Sequence, residues 1–310
     1  MTVLVDAGSR QVEISSEDKI FFPDAGISKG DLAEYYNRVG DIMLPHVVDR
    51  ALTLHRFPDG IEGEGFFQKE TPDYFPEWIS RAPLAKEGGT VVYPVCTEKA
   101  TLVYLVDQGC ITPHVWLSRT DRPENPDRMV FDLDPPDDSE DLGLLHDTAR
   151  GVRDSLDDLG VPSFVMTTGS AGYHVLVPLD ASVAFDDVRA VSRRLAERVV
   201  QRFPDSTTVE QRKDRRDGKI FIDYLRNSYA QTTVAPYAVR ALPRAPVATP
   251  IRWDELADST PRTWTLDNIF RRLGQIDDPW QDLSGIDGVA AGDIAAVIDQ
   301  QKDENGPDDR

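Results

Sequence analysis

The run Met129-Val130-Phe131-Asp132-Leu133-Asp134-Pro135-Pro136 is apolar until it ends in two acids one residue apart. In a strand, residues two apart point to the same face, so Asp132 and Asp134 project together, with Cα atoms roughly 6–7 Å apart. Two carboxylates leaving a strand end side by side are costly unless a cation sits between them. Hard oxygen donors of this kind suit Mg²⁺ or Mn²⁺. A second apolar run, Lys219-Ile220-Phe221-Ile222-Asp223-Tyr224, ends in one further acid. Three carboxylates from two strands can serve two-metal nucleotidyl transfer. One ion activates an attacking 3′-hydroxyl; the other holds a triphosphate and stabilises the departing pyrophosphate. Taken alone, the Asp-x-Asp pair reads more simply as two solvated acids at a strand edge.

A second candidate is the turn Thr167-Thr168-Gly169-Ser170-Ala171-Gly172-Tyr173-His174, between two strand-like runs. Its glycines permit a tight turn whose backbone N–H groups can converge on an anion. The hydroxyls of Thr168 and Ser170 add donors, and His174 starts the next strand. A triphosphate suits such a nest; a plain hairpin turn with a satisfied histidine suits the same residues. Arg216 and Arg240 would complete a phosphate clamp, because guanidinium forks grip phosphate through two parallel hydrogen bonds. Read singly, each is an ordinary surface arginine.

The elements that must position these groups follow from periodicity. Strands are expected at Gln11–Ile14, Ile20–Phe22, Ala51–Phe57, Ile111–Leu117, Arg128–Leu133, Phe164–Thr167, Tyr173–Leu179 and Ile220–Tyr224. Ser28 with Asp31 is a capping-box-like start to a helix carrying Leu32, Tyr35, Tyr36, Val39 and Ile42. Further helices are expected over Thr97–Asp107, Ser139–Leu159, Asp186–Gln201, Thr265–Leu273 and Asp293–Gln301. Glycines stop two of them, at Gly109 and Gly160. Strands and helices interleave without a strict βαβ rhythm, so the fold class is α+β with mixed and antiparallel sheets flanked by helices. A single catalytic domain over 1–295, in two closely packed lobes, is expected to precede a disordered acidic polar tail over 296–310.

The totals set outer limits. With 310 residues, 40% of them hydrophobic, the chain can build a large core. No apolar run approaches the roughly 20 residues of a membrane span, and no secretory leader pattern opens the chain. Cys96 and Cys110 form neither a metal-ligand spacing nor a disulfide framework. A cytoplasmic, nucleoid-associated location is therefore expected. The net charge of −20 argues against a nucleic-acid partner only until its distribution is read. Gln275–Arg310 holds ten acidic and two basic residues, and Asp121–Asp158 holds thirteen and four. Arg189–Lys219, by contrast, holds ten basic and five acidic residues, so a basic surface survives.

Several ordered pieces resemble the polymerase domain of bacterial ATP-dependent ligase D, a branch of the archaeo-eukaryotic primase superfamily. They run from Lys19-Ile20-Phe21-Phe22-Pro23 and Lys29, through Arg56-Phe57-Pro58-Asp59-Gly60 and Gly65-Phe66-Phe67-Gln68-Lys69, to His114-Val115-Trp116. The acid pair and the glycine turn follow, then Asp223-Tyr224-Leu225-Arg226-Asn227 and Thr232 to Arg240. The resemblance implies a primase-type core and a template-directed nucleotidyltransferase that fills short gaps at DNA ends, readily accepting ribonucleotides. It implies Asp132, Asp134 and Asp223 as catalytic ligands for two Mn²⁺ or Mg²⁺ ions. His174, Arg216 and Arg240 would contact the incoming nucleotide's triphosphate, Thr168 and Ser170 would line that pocket, and His114 would sit near the sugar or metal. Lys19 and Lys29 would grip the 5′-phosphate across a gap, Phe66 and Phe67 would stack on the template, and Arg56 belongs with these DNA-contacting residues. The implied partners are gapped or broken DNA, NTP or dNTP, Ku, and a separate ligase, since no joining domain fits within this length.

Three positions depart from the family pattern: Thr168 stands in place of serine, Ala171 in place of lysine, and Gln231 where a basic residue is common. Loss of the lysine charge leaves room for compensation by Lys213 or Arg215, and for a different function. That alternative is a non-catalytic end-bridging protein that binds 5′-phosphorylated gapped DNA. A phosphohydrolase with Asp132 as nucleophile and Asp134 as acid is disfavoured, because Pro135 and Pro136 stand where it needs a small hydroxyl residue.

Overall fold

The computed structural model describes residues 1–136 and 141–304. The chain opens with two short hairpins, β1 (Val3–Asp6) with β2 (Gln11–Ile14) and β3 (Ile20–Phe22) with β4 (Ile27–Ser28). Helix α1 (Lys29–Val47) begins at a capping box. Ser28 Oγ accepts from the Asp31 amide at 3.1 Å, and Asp31 Oδ2 accepts from the Ser28 amide at 2.8 Å. Then come β5 (Leu52–Arg56), β6 (Phe66–Gln68), β7 (Ser80–Lys86), β8 (Gly89–Val95), α2 (Lys99–Asp107) and β9 (Cys110–Trp116). The second half holds β10 (Arg128–Asp134), α3 (Leu142–Asp157), β11 (Phe164–Thr167), β12 (Tyr173–Pro178) and α4 (Phe185–Arg202). It closes with β13 (Thr207–Thr208), β14 (Ile220–Asp223), β15 (Thr232–Val234), β16 (Thr249–Ile251), α5 (Ile269–Leu273) and α6 (Ala291–Glu304).

Two sheets carry the architecture. The six-stranded sheet has the order β13-β14-β10-β12-β11-β16, antiparallel except for the β13–β14 pair. The four-stranded sheet has the order β15-β9-β5-β6 and is antiparallel throughout. Helices α1 and α2 share one apolar core with the four-stranded sheet, whereas α3, α4 and α6 share another with one face of the six-stranded sheet. The expected α+β class with mixed sheets is therefore the observed one. Among the described residues, no helix is long and apolar enough to cross a membrane.

Local expectations and structure differ in four places. The helix expected over Thr265–Leu273 starts only at Ile269, because Asn268 Oδ1 accepts from the Thr265 amide at 2.9 Å and holds the first residues in a turn. Helix α6 runs on to Glu304, through part of the segment expected to be a disordered tail. Its Ile294 and Ile298 are buried at i, i+4 spacing in the α3–α4 core, and Arg194 of α4 pairs with Asp299. Residues 305–310 lie outside the described residues, as does the cap expected at Ser139; Asp141 caps α3 instead, accepting from the Leu144 amide at 2.9 Å. The β7–β8 hairpin, not foreseen from the sequence, forms its own two-stranded sheet with a small core that includes Trp116.

Candidate active site

The two acidic strand ends are neighbours. Strand β10 lies between β12 and β14, and Asp132 is the ladder partner of His174 on one side and of Asp223 on the other. Directly opposed residues share a face of the sheet, so three polar side chains stand in one row across three strands. Asp134, two residues on, shares that face. One carboxylate oxygen from each of Asp132, Asp134 and Asp223 lies within 4.8 Å of the others. Two local devices hold this register. The Asn227 side chain accepts from the Val130 amide and donates to the Val130 carbonyl, both at 2.8 Å, replacing a strand partner where β14 has ended. Gly172 closes against β10 so tightly that a Cβ there would lie 1.9 Å from the Leu133 oxygen.

The electrostatics favour a cation. Burial, reinforced by Asp132 and Asp223, pushes the Asp134 carboxyl up to about 6. Burial also raises Asp223, with Asp132 adding to the effect. For Asp132, burial raises the carboxyl, but His174 and the arginines around it prevail and hold it below the usual value. Arg226 bridges two of the acids, its Nε lying 3.2 Å from Asp223 Oδ2 and 3.6 Å from Asp132 Oδ2. Three oxygen donors crowded this closely fit a hard divalent cation, which would offset the burial and the repulsion that together raise Asp134.

A cavity of about 310 Å³ opens beside the acids, between the Thr168–His174 turn, β9 and β15. Asp132, Asp134, Thr168, Ser170, His174, Arg240, His114 and Phe67 all line it. The turn departs from the expected nest. Thr168 Oγ1 accepts from the Ser170 and Gly172 amides at 3.2 and 3.3 Å and donates to the Gly172 carbonyl at 2.9 Å. Thus Thr168 organises the turn, and two N–H groups expected to face an anion point inward. Positive charge comes instead from arginines. Arg240 Nη1 donates to the Thr168 carbonyl at 3.0 Å, and Arg262 Nε donates to the Ser170 carbonyl at 2.8 Å. Burial, with Arg240 and His55 adding, lowers His114 to about 3, so its ring is neutral.

Phe67 is 60% exposed and lies on the His55 ring at 4.1 Å and 10°, beside His114 at 5.5 Å. Phe66, its neighbour on β6, faces the opposite way: Arg56 covers its ring at 5.5 Å and also donates to the Gln108 carbonyl at 2.6 Å. Arg216 stands in an adjoining crevice with Pro135, Pro136 and Lys213, stacked 4.0 Å over Phe221. The lysines do not line this cavity and are already paired. Lys19 Nζ lies 2.5 Å from Asp59 Oδ1, and Lys29 Nζ is buried on Asp107 Oδ1 at 2.7 Å. Sequence reasoning missed Arg226, Asn227 and Arg262. The first two were visible in the Asp223 segment, at positions close enough to reach the strand end. Nothing local marks Arg262, which meets Ser170 from 92 residues away.

The family model for the LigD primase-polymerase domain matches residues 28–280. Over 277 residues the chain is 34% identical to the multifunctional non-homologous end joining DNA repair protein LigD of Mycobacterium tuberculosis, covering 87% of this chain and 36% of that protein. For LigD of Pseudomonas aeruginosa the identity is 35%, over 90% of this chain and 34% of the relative; for Bacillus subtilis it is 30%, over 88% and 44%. The chain thus spans between a third and a half of these curated relatives. A solved structure of the polymerase domain from Mycobacterium tuberculosis ligase D in complex with DNA superposes with a TM-score of 0.83 at 34% identity. That match covers 88% of this chain and 98% of the solved one.

Proposed function

Given that this chain belongs to the LigD primase-polymerase family, we propose that it is a template-directed nucleotidyltransferase that fills short gaps at DNA ends during non-homologous end joining. The observation that carries this reading is the row His174–Asp132–Asp223, with Asp134 beside it and the arginine-lined cavity in front. Asp132, Asp134 and Asp223 would hold two divalent ions, Mg²⁺ or Mn²⁺, which would supply activation of a primer 3′-hydroxyl and neutralisation of the triphosphate. His174 and Arg240 bind the triphosphate at the cavity wall, and Arg262 places a guanidinium beside Ala171, restoring the charge that family members carry on lysine. Arg216 meets the polyphosphate from the adjoining crevice. The neutral His114 ring is suited to orient the sugar by hydrogen bonding rather than by charge. Phe67 presents an open ring face to a template base, and Lys19, with the more accessible ammonium of the lysine pair, contacts the 5′-phosphate across the gap.

The natural substrate is then gapped or broken DNA bearing a 5′-phosphate, with NTP or dNTP, and the joining partners, Ku and a ligase activity, come from outside these residues. Acceptance of ribonucleotides is part of the proposal; strong preference for deoxynucleotides in direct competition overturns that part. The test is extension on a one-nucleotide-gapped duplex with each nucleotide and Mn²⁺ or Mg²⁺, beside Asp132→Ala/Asp134→Ala. Template-matched extension lost in the variant is expected. Gapped-DNA binding with no extension under any condition would establish the bridging protein instead. The contact of Arg262 with the Ser170 carbonyl supports the polymerase reading over the bridge, because a guanidinium there can stand in for the charge missing at Ala171.

A further inference from the structure

Strand β10 carries acids at one end and an arginine at the other. Arg128 is six residues before Asp134, so it lies roughly 20 Å away along the strand. There it joins Arg50 and Arg119 around a separate cavity of about 210 Å³. Arg50 is 1% exposed and Arg128 6% exposed, while Arg119 stands at the rim.

The charges in this cavity do not balance. Arg50 grips Asp127 through both Nη atoms, at 2.7 and 2.6 Å, and Arg119 Nε donates to the same carboxylate at 3.1 Å. Arg128 donates to the His46 carbonyl at 3.0 Å, and no carboxylate pairs with it among the described residues. The Arg50 Nε is buried without a hydrogen-bond partner. Asp278, the other acid close by, is committed elsewhere: it holds His46 Nε2 at 2.6 Å and the Tyr237 hydroxyl at 2.6 Å. Three guanidiniums therefore share one carboxylate. Guanidinium does not shed its proton to escape burial, and an uncompensated buried charge is costly to the fold. Such a charge is retained when an anion completes the site.

The walls narrow the choice of anion. Pro45, Pro178, Leu179 and Leu283 are apolar and offer no hydrogen bonds from their side chains. Arg50 and Arg128 are almost wholly buried, which favours a small anion over a duplex backbone, and the volume of about 210 Å³ exceeds that of a single phosphoryl group. We propose that this cavity is a second anion site, distinct from the carboxylate centre. It takes a small phosphoryl anion, held by the forks of Arg128 and Arg119 over Arg50. Free inorganic pyrophosphate and the phosphate of a free nucleotide share the required chemistry.

The test is thermal denaturation of the whole chain in EDTA, titrated with inorganic pyrophosphate in one arm and a nucleoside 5′-monophosphate in the other. A ligand that binds only the folded state raises the midpoint saturably. The expected result is a saturable rise in at least one arm, the arm identifying the source. In Arg119→Gln, which sits at the rim and leaves the Arg50–Asp127 fork intact, the half-saturating concentration should rise roughly ten-fold through loss of one charge-assisted contact. Gap-filling extension by that variant should stay at the wild-type level. No saturable rise in either arm, or the same half-saturation in wild type and Arg119→Gln, overturns the proposal.

Discussion

His174 Nε2 stands 3.3 Å from Asp132 Oδ1, and the two residues are direct partners across β12 and β10. Because side chains alternate along a strand, a one-residue slip of β12 against β10 would turn His174 away from the cavity and from Asp132. The imidazole therefore fixes the Asp132 carboxylate while facing the space that the proposed function gives to the triphosphate. His174→Leu should keep the fold, as read by circular dichroism, and raise the nucleotide KM with a roughly 10- to 100-fold loss of kcat/KM, the value of one charged contact. An unchanged KM would remove His174 from the nucleotide site.

Asp134 should cost the metal-free fold stability. Its carboxyl is raised to about 6, first by burial and then by Asp132 and Asp223. The folded state thus binds this proton more tightly than the unfolded chain, whose carboxyl titrates near 3.9. Its contribution to stability falls as pH rises from about 4 to about 6 and stays low above that. Asp134→Asn in EDTA at pH 7.5 should melt a few degrees above the wild type, on the order of 1–3 kcal/mol, while losing extension entirely. The melting advantage should vanish near pH 4.

Arg262 and Ala171 should compensate each other. Arg262→Ala removes a guanidinium anchored on the Ser170 carbonyl, and the nucleotide KM should rise about ten-fold, most at low salt. Adding Ala171→Lys to that variant should restore the wild-type KM. Failure of the lysine to rescue would show that Arg262 acts on the turn's shape rather than through charge.

Phe67 and Phe66 should differ although they are adjacent. Phe67 is the more exposed and has its ring backed by His55, whereas Phe66, 44% exposed, has Arg56 over its ring. Loss of one base-stacking platform is worth about 1–3 kcal/mol. Phe67→Ala should therefore weaken gapped-DNA binding about ten-fold in fluorescence anisotropy, and Phe66→Ala distinctly less.

Asn227→Ala should be among the more damaging conservative changes. It leaves the Val130 amide and carbonyl unpaired inside the sheet, next to the Asp132 segment. A loss of about 2–4 kcal/mol in urea denaturation is expected, from two buried backbone groups left unsatisfied. A smaller loss would mean that β10 finds another partner there.

The sequence by itself determined the ingredients of the site. Alternation placed Asp132 and Asp134 on one face of a strand, two prolines ended that strand, and glycines marked the turn leading into His174. Each of these is a local property, written in residues a few positions apart. The partners were not local. That β10 lies between β12 and β14, setting Asp132 opposite both His174 and Asp223, depends on strand order, which periodicity does not encode. The same limit hid the burial of Lys29 on Asp107, the contact of Arg262 with Ser170, and the packing of Ile298 that carries α6 through the expected tail. A side chain's type and spacing fix which face it shares, but whether it meets a charge, a cavity or solvent is set by segments that arrive from elsewhere in the chain.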